Sequence, residues 1–191
     1  VYQGVTGHTT AKVTSLHRLI YRELISRFGG GQAKQYADAN QAAIEAIASI
    51  VREYEIPCDF VRRPAYTYAE SEDDRDLVMA EADAARSLGL PATFVEETGL
   101  PGRTYGAVRF ADQAQFHPLK YLMRLASFIP GDGSYIFEKT RALEVQDGGG
   151  VCTVRTAQGI VTAKNVVLAT HYPFYDGPGF YYSRMEPSRS Y

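Results

Sequence analysis

Glycine, threonine and a lysine are concentrated in Gly4-Val5-Thr6-Gly7-His8-Thr9-Thr10-Ala11-Lys12, directly ahead of an apolar-periodic segment. At a helix start, unpaired backbone N–H groups and the macrodipole hold a phosphate. Thr9 and Thr10 would add hydroxyl donors there, and Lys12 a positive charge. The same residues also read as an ordinary capped helix, since threonine is a common N-cap. They are not a P-loop, which ends in Gly-Lys-Ser/Thr. A second candidate is Val166-Val167-Leu168-Ala169-Thr170-His171-Tyr172-Pro173. A buried strand ending in small residues puts backbone at the carboxyl edge of a sheet, where open α/β folds bind ligands. It reads equally as a core strand followed by a loop.

Tyr66 and Tyr68 stand two residues apart and share a strand face. They could line a pocket with an apolar body and a polar tip, finish a core edge, or meet a partner. Arg109 and the run Gln113 to His117 lie where a strand hands over to a helix, a common place for ligand contacts. His117 before Pro118 also reads as a helix cap. His8, His17, His117 and His171 show no metal-binding spacing, so no metal is expected. His17 reads as a partly buried or surface helix residue. No serine sits in a nucleophile elbow, and no catalytic residue is assigned.

These residues need elements to position them. Val13, Leu16, Ile20, Leu24 and Phe28 step at helical spacing, predicting a helix over Thr9–Phe28 that Gly29-Gly30-Gly31 would stop. A second helix is predicted over Gln32–Tyr54, the two forming an antiparallel hairpin. Asp59 to Tyr68 reads as a strand interrupted by Pro64. Ser71 to Asp74 resembles a capping box opening a helix with Leu77, Ala80, Ala84 and Leu88 on one face, ended by Gly89. Short strands follow at Thr93–Val95 and Gly106–Phe110, then a helix from Pro118. The last third predicts a buried strand at Tyr135–Phe137 and a meander from Arg141 to Ala163 turning at Asp147–Gly150 and Gln158-Gly159. A buried parallel strand is predicted over Asn165–Thr170.

A length of 191 residues leaves room for one good-sized domain or two small ones, and 45% hydrophobic with 22% charged residues is globular composition. A net charge of −2 gives no basic field for nucleic acid. No apolar run is long enough to span a bilayer. Two cysteines exclude a disulfide scaffold and a thiolate cage, making a reducing, cytoplasmic location the expectation. The fold class expected is α/β to α+β. Neither end has the look of a natural terminus, so the chain is expected to be truncated at both.

The order of the pieces resembles the FAD-dependent oxidoreductases of the D-amino-acid oxidase/glycine oxidase superfamily. Gly4 to Lys12 is similar to that family's small-residue turn against FAD. Arg63-Pro64-Ala65-Tyr66-Thr67-Tyr68-Ala69-Glu70 resembles the strand leading into its substrate domain. Ala82 to Leu90 resembles its helix ending in leucine-glycine, and Asp112 to Pro118 its return to the flavin domain. Thr140 to Val145 resembles the strand whose backbone meets adenine. Val154 to Gly159 and Asn165 to Thr170 resemble its meander and parallel strand. The family's glycine-rich fingerprint is absent and would lie upstream of Val1; the last FAD-contacting strand and helix would lie downstream of Tyr191. His171 stands where the family usually has glycine, and His171-Tyr172-Pro173 suggests a subgroup some of whose members continue into a Rieske domain.

The resemblance implies a mixed-sheet cap domain with helices on one face plus part of a Rossmann-like FAD domain. Residues 1–58 would be the helical part of the FAD domain, 59–115 the substrate region, and 116–191 the return to the FAD domain. It implies a fragment of an enzyme oxidising an amine or amino acid by hydride transfer to FAD, with FAD not retained by the fragment itself. By carry-over, Thr6, Gly7, Thr9, Thr10, Lys12, Ala142, Ala169, Thr170 and His171 would face the cofactor. Tyr66, Tyr68, Arg109 and His117 would face the substrate. The alternative is a non-catalytic substrate- or partner-binding module without a cofactor, dimerising through exposed apolar surface.

Overall fold

A computed structural model of the chain describes residues 5–170, 174–176 and 179. It divides into two compact units, up to Ser134 and from Tyr135.

In the first unit a single 3₁₀ turn, Val5–His8, precedes strand β1 (Lys12–Val13). Helix formation starts only at Tyr21, where α1 (Tyr21–Glu53) begins. The helix expected from Thr9 is therefore shortened at its front by twelve residues or so, and the physical reason is long-range. The Ser15 N–H is spent on the Gln113 side chain at 2.7 Å, and the Ser15 carbonyl accepts from the Tyr21 hydroxyl. Ala11 and Arg18 hold φ of 63° and 58°, which no right-handed helix allows. Inside α1, Gly29 has φ 80° and ψ 161°, a conformation open to glycine, and the helix resumes beyond it. In an unbroken helix Tyr21 and Tyr36 would stand about 22 Å apart. Their ring centroids are 6.1 Å apart, so the two arms fold back as the expected hairpin.

Proline splits the next segment as anticipated, into β2 (Val61–Arg62) and β3 (Ala65–Tyr68) in different sheets. Helix α2 (Arg75–Ser87) follows the Ser71–Asp74 pair, where the Ser71 hydroxyl donates to the Asp74 carboxylate at 2.6 Å. Its buried face is Val78, Glu81, Ala82 and Ala85, one step round from the expected stripe, and Leu77 is 44% exposed. The stripe was masked because its central member is a carboxylate. Strands β4 (Ala92–Val95), β5 (Ala107–Phe110) and β6 (Ala114–Gln115) lead to α3 (Pro118–Ser127).

Two antiparallel sheets result, β1-β6-β2 and β3-β5-β4. The main core lies where α1 and α2 cover β5: Tyr21 stacks on Phe110 at 5.9 Å, and Ala33, Ala37, Ala82 and Ala85 let the helices approach closely. Burial pushes the Tyr21 phenol well above its ordinary pKa. Gln113 links the two sheets. Its Oε1 accepts from the Ser15 N–H and from the Thr14 hydroxyl at 3.0 Å, while its Nε2 donates to the Ala111 carbonyl at 2.8 Å. Gln113→Leu leaves the buried Ser15 N–H without an acceptor. It is expected to cost about 1–3 kcal/mol in urea unfolding, with no change in helix content of the folded form.

The second unit is the expected meander, β7 (Ala142–Asp147), β8 (Cys152–Thr156) and β9 (Ile160–Ala163), paired in that order and antiparallel throughout. Two expectations fail here. Tyr135–Phe137 is no buried strand: Tyr135 and Phe137 are 70% and 62% exposed and stack on each other. Asn165–Thr170 joins no ladder among the described residues, and Val167 is 86% exposed. A parallel strand is defined by its neighbours, and an apolar run does not specify them. The combination of helices and small sheets fits the α/β to α+β class expected.

Candidate active-site clefts

The threonine-rich turn does not stand at a helix N-terminus, so the macrodipole argument fails locally. The N-terminus of α1 is occupied by a carboxylate of the chain's own. Glu81 of α2 accepts from the Tyr21 N–H at 2.7 Å and the Arg22 N–H at 3.0 Å. What the turn builds instead is one wall of a hollow of about 440 Å³. Thr6, Gly7, Thr9 and Thr10 form that wall, and the opposite one comes from Asp59 and the segment Gln115–Leu119. The wall is polar because its side chains are hydroxyls.

His117 belongs to this hollow, and its ring is already committed. It caps α3, its ring Nδ1 accepting from the Lys120 N–H at 3.4 Å, while the His117 backbone N–H donates to the Cys58 carbonyl at 2.6 Å. Lys120 reaches across to Asp59 at 2.6 Å, and that hydrogen bond holds the Asp59 carboxyl below the usual carboxylate range. Behind it lies Cys58, fully buried; desolvation pushes its thiol up, as it does the Tyr121 phenol. An unfolded chain loses a thiol proton near pH ~8.5, while the folded chain keeps this one. Above that pH the native state binds more protons, so stability must fall as pH rises. Urea unfolding at pH 7, 9 and 10 is expected to show that decline, with Cys58→Ala flattening its first part. In native protein at pH 8, Ellman's reagent should titrate Cys152 and spare Cys58.

A larger cleft of about 870 Å³ opens beside the hollow, and the two share Thr10 and Gln115. Tyr66 and Tyr68 of β3 line it on one side, and Lys12, His17, Arg18 and Arg63 add nitrogen bases and cations. Arg109 supports this wall from the neighbouring strand. It pairs with Tyr66 across the β3–β5 register, and its Nε donates to the Tyr66 hydroxyl at 3.3 Å. His17 is held by the Tyr36 hydroxyl at 2.7 Å from Nδ1.

The structure therefore gathers the sequence candidates into neighbouring groups. Thr6, Gly7, Thr9, Thr10 and His117 line the smaller hollow, while Lys12 sits with Tyr66 and Tyr68 in the larger cleft. Ala142 belongs to the second unit, in a separate hollow of about 390 Å³ with Phe137, Val154 and Ile160. Ala169 and Thr170 are exposed and outside any ladder; His171 lies outside the described residues. Sequence reading passed over His17, Arg18 and Arg63 as site residues. A helix expected over the first two hid them, and Arg63 carried only the cue of preceding Pro64. Among the described residues no group of His, Cys, Asp or Glu gathers as a metal site would, and no helix is long and apolar enough to cross a membrane.

Comparison with known proteins gives these clefts a setting. A Bacillus subtilis (strain 168) protein named for a Rieske 2Fe-2S iron–sulfur centre, YhfW, is 38% identical over the whole chain, which covers 38% of that protein. Glycine oxidase from Geobacillus kaustophilus superposes on 88% of the chain with a TM-score of 0.62 at 16% identity, the match covering 45% of that enzyme. Glycine oxidase from Bacillus cereus ATCC 14579 gives 0.60 over 86% at 15% identity, covering 44%. The chain thus spans less than half the length of these relatives. Residues 1–191 match, end to end, the family described as DAO, FAD dependent oxidoreductase, and the chain belongs to that family.

Proposed function

We propose that the chain works within a flavin-dependent oxidoreductase that oxidises an amine or amino acid by hydride transfer to FAD. The observation that carries this reading is the contiguity of the two clefts: a hydroxyl-lined hollow opens into a tyrosine- and cation-lined cleft at Thr10 and Gln115. The donor set fits a polar edge of the cofactor, since Thr6 and Thr10 present hydroxyls beside the small Gly7 and Ala11. Asp59 on the same rim is an anion, and its pairing with Lys120 offsets the repulsion it would exert. FAD, when bound, supplies the hydride-accepting ring. Thr6, Gly7, Thr9 and Thr10 are the residues of this unit that would hold it. Tyr66 and Tyr68 would confine the substrate, with Arg109 fixing the Tyr66 ring. Ala142, Ala169, Thr170 and His171 remain cofactor candidates from the second unit. Residues 1–58 and 116–191 are assigned to the flavin side and 59–115 to the substrate side.

The test is a visible absorption spectrum of desalted protein, recorded for this chain and for one carrying about 30 further residues upstream, the length of a βαβ unit. The extended chain is expected to hold yellow flavin bands that an amine or amino acid bleaches under anaerobic conditions. No bands in either chain, with FAD supplied and both folded, would leave a binding module instead.

A further inference from the structure

The larger cleft is lined by Lys12, Arg18 and Arg63 with His17 beside them, and no aspartate or glutamate is among its lining residues. The chain as a whole carries a net charge of −2, so this positive lining is local. Its cause is the ladder of the first sheet. Lys12 stands opposite Gln115 on the central strand β6, and Arg62 opposite Ala114. Continuing both registers by alternation puts Thr14, Gln113 and Arg63 on the next rung of the same face. The Thr14–Gln113 side-chain bond and the Arg63 N–H donating to the Gln113 carbonyl at 3.0 Å agree with that rung. Arg62 falls on the other face, where it pairs with Glu45 at 2.7 Å. Arg63 and Lys12 make no ion pair among the described residues. One arginine of the pair is neutralised by the fold, and the other is left to the cleft.

Lys12 and Arg63 enter from opposite flanks of β6, two strand spacings across and two residues along, about 12 Å apart at the backbone. One carboxylate cannot occupy both positions without bringing the long side chains together. Two acid groups can, each held by its own cation, with the Thr10 and Thr67 hydroxyls at hand as donors. A cleft lined by one sign of charge also concentrates ligands of the opposite sign.

We propose that this cleft selects a substrate bearing two acid groups beside its amine, an amino dicarboxylate by class, with Lys12 and Arg63 holding one acid group each. The proposal rests on the reading of this cleft as the substrate side.

The experiment is titration of the ¹⁵N-labelled chain by NMR, following the amides of residues 12, 63, 66 and 68. The probes are glutamate and aspartate of both hands, alanine, methylamine and pyrophosphate. At least one of the amino dicarboxylates is expected to bind tenfold or more tightly than alanine, and raised salt should weaken it. Lys12→Gln and Arg63→Gln should each weaken that ligand about tenfold and alanine threefold or less. Arg62→Gln, on the other face, should leave the binding unchanged. Alanine binding as well as the dicarboxylates overturns the proposal, and so does binding of none of the probes by folded protein. Pyrophosphate displacing a dicarboxylate and binding more tightly also overturns it, assigning the cations to cofactor phosphates. Failure of the flavin reading is seen separately, in the absorption bands, and leaves this binding result standing.

Discussion

Replacing Phe110 with alanine is expected to lower the stability of the unit up to Ser134 by about 3–5 kcal/mol, the range for emptying a buried aromatic site. Phe110 is fully buried at the end of β5, with Tyr21 stacked on it and Val108, Leu90 and Ala92 in the same cluster. Four of the ten other buried members of that cluster, Ala33, Ala37, Ala82 and Ala85, are helix alanines with no longer group to swing into the gap. A loss of this size is a large part of a typical domain's 5–15 kcal/mol. Calorimetry should show the midpoint falling by about 10 °C for a chain of this length. The cleft should respond too. Tyr21 packs on Phe110 and donates to the Ser15 carbonyl, and Ser15 belongs to the network that holds Thr14 and Gln113 at the cleft wall. Hydrogen exchange is therefore expected to accelerate at residues 12–18 in the variant, ahead of the β7–β9 meander. Equal acceleration in both units would show that the effect is global, and that Phe110 does not specifically support the cleft.

Glu81→Ala is the second large effect, expected at about 2–4 kcal/mol. The buried Tyr21 N–H loses the acceptor that Glu81 supplies, at about 1–3 kcal/mol, the part-buried Arg22 N–H loses its partner at a smaller cost, and the carboxylate's attraction to the helix dipole is lost as well. Both oxygens are used: Oε1 takes the Tyr21 N–H and Oε2 the Arg22 N–H. Glu81→Gln keeps one acceptor and presents an amide donor to the other N–H, so it should fall between wild type and alanine. The order wild type, glutamine, alanine in urea midpoint is the signature of a cap. Equal loss in both variants would instead identify Glu81 as space filling. Since α1 carries Tyr36, which holds His17 at the larger cleft, uncapping should also weaken His17's hydrogen bond, visible as a shift of its ring resonances.

Much of this architecture is written in local pattern. The apolar steps of α1, the glycine at its reversal, the Ser71–Asp74 pair ahead of α2, Pro118 behind a histidine cap and the turns of the meander are each properties of a few adjacent residues. Steric and capping preferences act at that range. The order of those pieces along the chain also sufficed to indicate the family. Tertiary structure decided what depended on partners far away in sequence. Residues 9–20 have helical spacing, yet their polar backbone groups bind Gln113, about a hundred residues on, and Tyr21, so the helix waits. Glu81, a carboxylate on α2, is buried because α1 brings its bare N–H groups against it. Arg62 and Arg63 are adjacent and alike in sequence. The pleat of β2 sends one to Glu45 and the other to the open cleft, because strand neighbours must face opposite sides of their sheet.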